Sequence, residues 1–167
     1  SHSLRIMNDK VDWSRVRHFS KDEWEPGADK VAPRLVYTLD ALREWCGKPV
    51  VIHCAFATSG HSPNSQHYCG RAVDFHIVGA SLLEQFLVAE RFRPGGLGLY
   101  PFWNNPGVHF DIRPLKPGEP AARWWRDLQG RYHPLTEEQF KNCFGFTDTE
   151  DWGWLLADEG LDTTLSA

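Results

Sequence analysis

Two short stretches constrain this chain more than anything else in it: "RAVDFHIV" at 71–78 and "GVHFDIRP" at 107–114. Each alternates between apolar and polar residues, the period of a β-strand with one face on a core. In the first, Val73, Phe75 and Ile77 share one face, and Ala72, Asp74 and His76 share the other. In the second, Val108, Phe110 and Ile112 turn inward while His109, Asp111 and Arg113 turn away. His67 stands just ahead of the first strand. A single histidine in such a place reads more readily as a satisfied core or surface residue. Two aligned rows are harder to dismiss. Two imidazoles and a carboxylate suit zinc, and a fourth position left to water would make such a site catalytic.

Around these strands the punctuation is clear. Ser20 with Glu23 forms a capping box that should open a short helix over "FSKDEW". "LVYTLDALREWCG" carries Leu35, Leu39, Leu42 and Trp45 at helical spacing and stops at Gly47. The β-branched run "VVI" after Pro49 reads as a buried strand, and 57–66 as a polar loop. Ser81 and Glu84 cap a second helix, "SLLEQFLVAERF", with Leu82, Leu83, Phe86 and Leu87 on its core face. "GLGLY" should pair with "GVHFDIRP" through the turn-rich "PFWNNPG". After Pro114, "AARWWRDLQG", "TEEQFKNCFG" and "DWGWLLADEG" read as helical or turn-like wrapping with no evident chemistry. The expected fold is α+β: a small antiparallel sheet with a zinc cleft on one face and helices packed around it.

The 167 residues suit one domain, 1–167, with a real core, and 41% hydrophobic content with eight tryptophans argues against disorder. A net charge of −4 without a basic block makes nucleic acid and anionic membranes poor partners. No apolar run reaches the ~20 residues that span a bilayer, no secretory-signal pattern is legible, and the opening Ser1-His2-Ser3 reads as a tag remnant. Cys46, Cys54, Cys69 and Cys143 form no C-x-x-C pair, so they read as buried free thiols rather than a zinc site or disulfides.

"SQHYCGRAVD" fits S-x-H-x-x-G-x-A-x-D, and "GVHFDIRP" fits V-H-x-D-x-R. Both resemble the two zinc motifs of the zinc D-Ala-D-Ala carboxypeptidases, a superfamily shared with lysostaphin-type peptidases and the hedgehog signalling domain. "HFSKDEW", "LDALREWCG" and "KPVVI" also look like its bacterial and prophage cell-wall branch. The resemblance covers about residues 18–115 and leaves 116–167 as a C-terminal helical extension. Carried over by position, it implies His67, Asp74 and His109 as zinc ligands, with Gly70 permitting the turn into the strand and Ala72 keeping the metal side uncrowded.

It also implies a zinc metallopeptidase, carboxypeptidase or endopeptidase, that hydrolyses peptidoglycan peptides at the cell wall, in periplasmic, extracellular or phage-delivered form; the expected oligomeric state is a monomer. Two departures qualify that expectation. Relatives commonly read S-G-Y-R after the "VVI" strand, and the arginine grips the substrate's terminal carboxylate. Here Ala57 occupies its place, with Arg71 and Arg113 as candidate replacements or plain surface groups. Relatives also place Glu or His shortly before the second ligand histidine, where this chain has Pro106 and Gly107. Asp111 is the nearest carboxylate and is either the general base or a group that orients His109. His76 should support the ligands, and His53 and His61 read as polar loop residues. The alternative is a catalytically inactive zinc-containing binding domain of the same fold.

Overall fold

The computed structural model describes residues 10–145. Six strands form one sheet in the order β1-β2-β4-β3-β5-β6. They are β1 (Val50–Cys54), β2 (Ala72–Ile77), β3 (Gly96–Tyr100), β4 (Gly107–Asp111), β5 (Ala122–Arg126) and β6 (Tyr132–Pro134). Three α-helices accompany them: α1 (Pro33–Cys46), α2 (Leu82–Arg91) and α3 (Glu137–Phe144). The architecture is α+β, as expected. The sheet is mixed rather than antiparallel throughout, because β5 runs parallel to β3.

The elements form for legible reasons. Pro33 occupies the first turn of α1, where its missing N–H costs nothing, and Gly47 ends the helix in the left-handed conformation. Leu35, Val36, Leu39 and Leu42 of α1 are buried against the sheet, but Trp45 is 53% exposed. The helical spacing that included Trp45 ran one position too far around the helix. The capping box at Ser20–Glu23 is present and starts a 3-10 turn at Lys21–Trp24 whose Trp24 is buried. In α2 the Ser81 hydroxyl accepts from the Glu84 N–H. Phe86 and Ala89 form its buried face, while Leu82, Leu83 and Leu87 are only half-buried. Gln85 is buried among them because its amide bonds the Ile77 N–H and the Ala80 and Pro106 carbonyls.

The core lies between one sheet face and the helices. Val73, Phe75, Ile77, Val108 and Phe110 point there from the two alternating strands, joined by Leu97 and Leu99. β1 is an edge strand with Val51 44% exposed, so the apolar run "VVI" is half-covered rather than buried.

The largest correction concerns "ARWWR", which reads as helical or turn-like but forms β5. Its alternation puts Arg123 and Trp125 on the helix-covered side, where Arg123 pairs with Glu90. Strand preference of the adjacent tryptophans and the open edge of β3 outweigh any local helical tendency. α3 supplies the expected third helix and buries Phe140 against Phe86. "DWGWLLADEG" lies outside the described residues. All four cysteines are free, but only Cys143 is buried, and Cys69 is exposed. Among the described residues no helix is long and apolar enough to cross a membrane.

Candidate metal centre and cleft

One row of paired residues crosses the sheet and builds the site. Cys54 on β1 pairs with Asp74 on β2, Asp74 with His109 on β4, His109 with Gly98 on β3, and Gly98 with Trp124 on β5. All these positions face away from the helices. Asp74 and His109 are therefore neighbours by register, which a one-residue slip would destroy.

His67 reaches the row from the loop before β2. It lies in a 3-10 turn, Gln66–Cys69, capped by the Ser65 hydroxyl, which accepts from the His67 N–H at 3.2 Å. Gly70 ends that turn at φ 71°, and a Cβ there would overlap the Lys30 carbonyl. Both constraints demand glycine.

Three donor atoms converge. Asp74 Oδ1 lies 3.1 Å from His67 Nε2 and 3.1 Å from His109 Nδ1. The ligand atoms of His67, Asp74 and His109 all fall within 4.8 Å of one another. Zinc–nitrogen and zinc–oxygen bonds of ~2.0–2.2 Å in tetrahedral array put ligand atoms roughly 3.3–3.5 Å apart, so a small outward shift would admit the ion. The outer ring nitrogens are also committed. His67 Nδ1 lies 2.7 Å from the Ala55 carbonyl, and His109 Nε2 lies 2.7 Å from Asp111 Oδ2. A neutral ring that donates outward at those atoms leaves its lone pair on the nitrogen that faces Asp74. The donor set fits zinc in number, chemistry and tautomer.

Without an ion, the same atoms form a charged hydrogen-bonded cluster. Burial favours the neutral forms, yet the hydrogen bonds from His109 and His67 hold Asp74 down at about 2. Burial of His67 is likewise outweighed by its bonds to Asp74 and Cys54, which hold it up at about 10. His109 is raised against its burial by Asp111 and Asp74. Asp111, fully buried, is held well below the usual carboxylate range because Arg113 and His109 outweigh its desolvation.

Asp111 sits behind His109, away from the convergence point. Arg113 clasps it through Nε at 2.9 Å and Nη2 at 2.6 Å. Arg113 lines the cleft, with its guanidinium 5.4 Å from the centre of the Trp124 ring. Arg71 is exposed and does not line the cleft, so the structure does not bring it to the other candidates. Ala57 is half-buried and donates its N–H to the His67 carbonyl. His76 does not bond Asp74; its Nδ1 lies 2.6 Å from His53 Nε2, an imidazole pair beside Trp103. His61 is no plain loop residue. Its ring stacks on His67 with centroids 4.2 Å apart, and its Nε2 lies 3.6 Å from Cys54 Sγ.

The convergence point opens into a cleft of about 730 Å³ whose far wall comes from residues that the motifs do not include: Tyr100, Trp103, Trp124, Arg126 and Tyr132. The Trp124 indole lies over β3 at Gly98, where a Cβ would overlap its Nε1, and donates to the Tyr100 hydroxyl at 3.2 Å. Tyr100 in turn stacks on Trp103 at 4.3 Å. The alternation Ala122-Trp124-Arg126 was a legible signal for this wall, hidden by the helical reading of "ARWWR".

Comparison with known proteins agrees with the motifs. The family model described as Peptidoglycan L,D-endopeptidase MepK matches residues 53–117. A curated relative, the probable peptidoglycan L,D-endopeptidase MepK of Haemophilus influenzae, is 40% identical over 57 residues. That stretch is 34% of this chain and 30% of the relative, so the match spans under a third of the relative's length. No solved structure matches the chain significantly. The matched segment holds His67, Asp74, His109, Asp111 and Arg113, and over that segment the chain is similar to the peptidoglycan L,D-endopeptidase family.

Proposed function

We propose that this protein is a zinc-dependent endopeptidase that cleaves stem or cross-bridge peptides of peptidoglycan at the cell wall, outside the cytoplasm. The observation that carries the reading is the convergence of His67 Nε2, Asp74 Oδ1 and His109 Nδ1 at the head of an open cleft. A zinc ion held there would supply an acidified water and polarise the scissile carbonyl.

The chain's own residues do the rest. His67, Asp74 and His109 bind, and the Ala55 carbonyl and Asp111 keep the two rings in the ligating tautomer. Asp111 has both oxygens engaged by His109 and Arg113, which supports an orienting role over that of general base. Among the described cleft-lining residues the one carboxylate is Asp74, a ligand in this reading. His61 is then the group placed to move a proton at the cleft mouth, through Nε2. Arg113 lines the same cleft and would stabilise the carbonyl oxygen as it gains negative charge. Ala57, in place of a carboxylate-gripping arginine, favours internal cleavage over trimming of a terminal residue, in keeping with the endopeptidase name of the relative.

The decisive experiment is release of new amino groups from purified peptidoglycan by zinc-loaded protein, with bound metal measured per chain. The expected result is one zinc and steady release, with His109→Ala losing both. Stoichiometric zinc with no release from any cell-wall peptide would leave an inactive binding domain, the reading favoured by the lack of a glutamate among the described cleft residues.

A further inference from the structure

The cleft ends in an unused positive charge. Arg126 lies on β5 two residues beyond Trp124, on the same face, and lines the cleft. It is exposed, its Nε donates to the Gly130 carbonyl at 3.3 Å, and its guanidinium packs on the Tyr132 ring at 5.4 Å. Among the described residues it forms no ion pair. The other charges of the cleft are spoken for: Asp74 bonds the two ligand imidazoles, and Arg113 holds Asp111. The chain as a whole carries −4, so an uncompensated arginine held on an aromatic wall is not a reflection of bulk charge.

Its distance from the metal row suits a substrate. β5 is two strands from β4, and Arg126 is two residues along from Trp124, which shares the row of His109. At ~4.8 Å per strand and ~3.3 Å per residue, the Cα atoms of His109 and Arg126 stand roughly 12 Å apart. The Arg126 side chain turns toward Gly130 in the β5–β6 turn rather than toward the metal row, so the gap is about the length of three or four extended residues. The Trp124 and Tyr100 rings pave the way between, and the Trp124 indole donates to the Tyr100 hydroxyl.

We infer that Arg126 is a substrate-binding residue that takes a free carboxylate of the peptide, about three or four residues from the scissile bond. This rests on the peptidase reading, and it moves the acid-recognition function lost at Ala57 onto a strand outside the family-matched segment. The carboxylate can be the peptide's C-terminal group or that of a diacid side chain. Arginine suits either, because its planar fork meets both oxygens at once.

The test uses the zinc-loaded 167-residue chain and three stem peptides: one with both carboxylates free, one amidated at the C-terminus, one amidated on the side chain. Affinity is measured by calorimetry beside kcat/KM. Amidating the recognised carboxylate should weaken wild-type binding about tenfold or more, and the arm that does so names the source. Arg126→Gln should weaken the free peptide by a similar factor, leave the sensitive amide unchanged, and keep zinc content and melting temperature. Arg126→Lys should recover part of the loss. If Arg126→Gln weakens all three peptides equally, or none, the assignment is wrong while the peptidase reading stands. If wild type binds with this pattern but cleaves nothing, the peptidase reading falls and the carboxylate site stands. Binding of no peptide by the loaded wild type would overturn both.

Discussion

Asp111 shows how far a single side chain can be read. Sequence alone places it two residues from a ligand histidine, compatible with a base or an orienting group. The fold separates the two by putting the carboxylate at His109 Nε2, on the far side of the ring from Asp74. Asp111→Asn should therefore weaken zinc binding ~10–100-fold, with activity recovered at excess metal. A competition titration with a chromophoric chelator measures the first and a zinc-supplemented assay the second; normal affinity with lost turnover would reinstate the base. The metal-free cluster carries a second expectation at this scale. His67 is held up at about 10, so near neutral pH it is protonated and must shed a proton before it can ligate. Zinc uptake at pH 7 should then release at least one proton, and affinity should rise with pH until it passes that value. Calorimetry in buffers of different ionisation enthalpy gives the proton count; zero release would show that the imidazoles are already neutral.

At the scale of elements, the strands that carry ligands were legible and the strand that completes the cleft was not. β2 and β4 announce themselves because each has one core face and one ionisable face, and alternation survives both. β5 has arginines and tryptophans on both faces, since one side pairs with Glu90 of α2 and the other paves a cleft. No apolar period remains to be seen. The neighbour that accepts β5 is also hidden: the glycines of "GLGLY" look like weak points, yet Gly98 is the space in which the Trp124 indole lies. Gly98→Ala would push that ring off β3. The expected cost is about 1–3 kcal/mol in denaturant unfolding, with poorer peptide binding and unchanged zinc content, because the atoms that a Cβ at Gly98 would meet first belong to Trp124 and not to His109. Wild-type stability in the alanine variant would mean that the indole has somewhere else to go.

For the whole molecule, the question is whether residues beyond the family-matched segment are an appendage. The match ends at residue 117, before β5 begins. Yet Trp125, Leu135 and Phe140 are buried in the same core as Phe75 and Phe110, and Phe140 packs edge-on against Phe86 of α2 at 5.3 Å. β5 also covers the edge of β3, whose backbone would otherwise be open to pairing with other chains. Burial of a large apolar side chain contributes about 1.5–3 kcal/mol, and three such losses rival the ~5–15 kcal/mol by which a domain is stable. A chain ended at Pro120 retains every ligand residue and both motifs. It should nonetheless lose cooperative thermal unfolding and tend to aggregate, and its zinc should be removable by chelators that leave the full chain loaded. Circular dichroism melts and metal analysis of the two chains side by side decide the matter. A shortened chain that melts sharply with one zinc bound would show that the motif-bearing half folds alone, and that β5, β6 and α3 serve the cleft without holding it together.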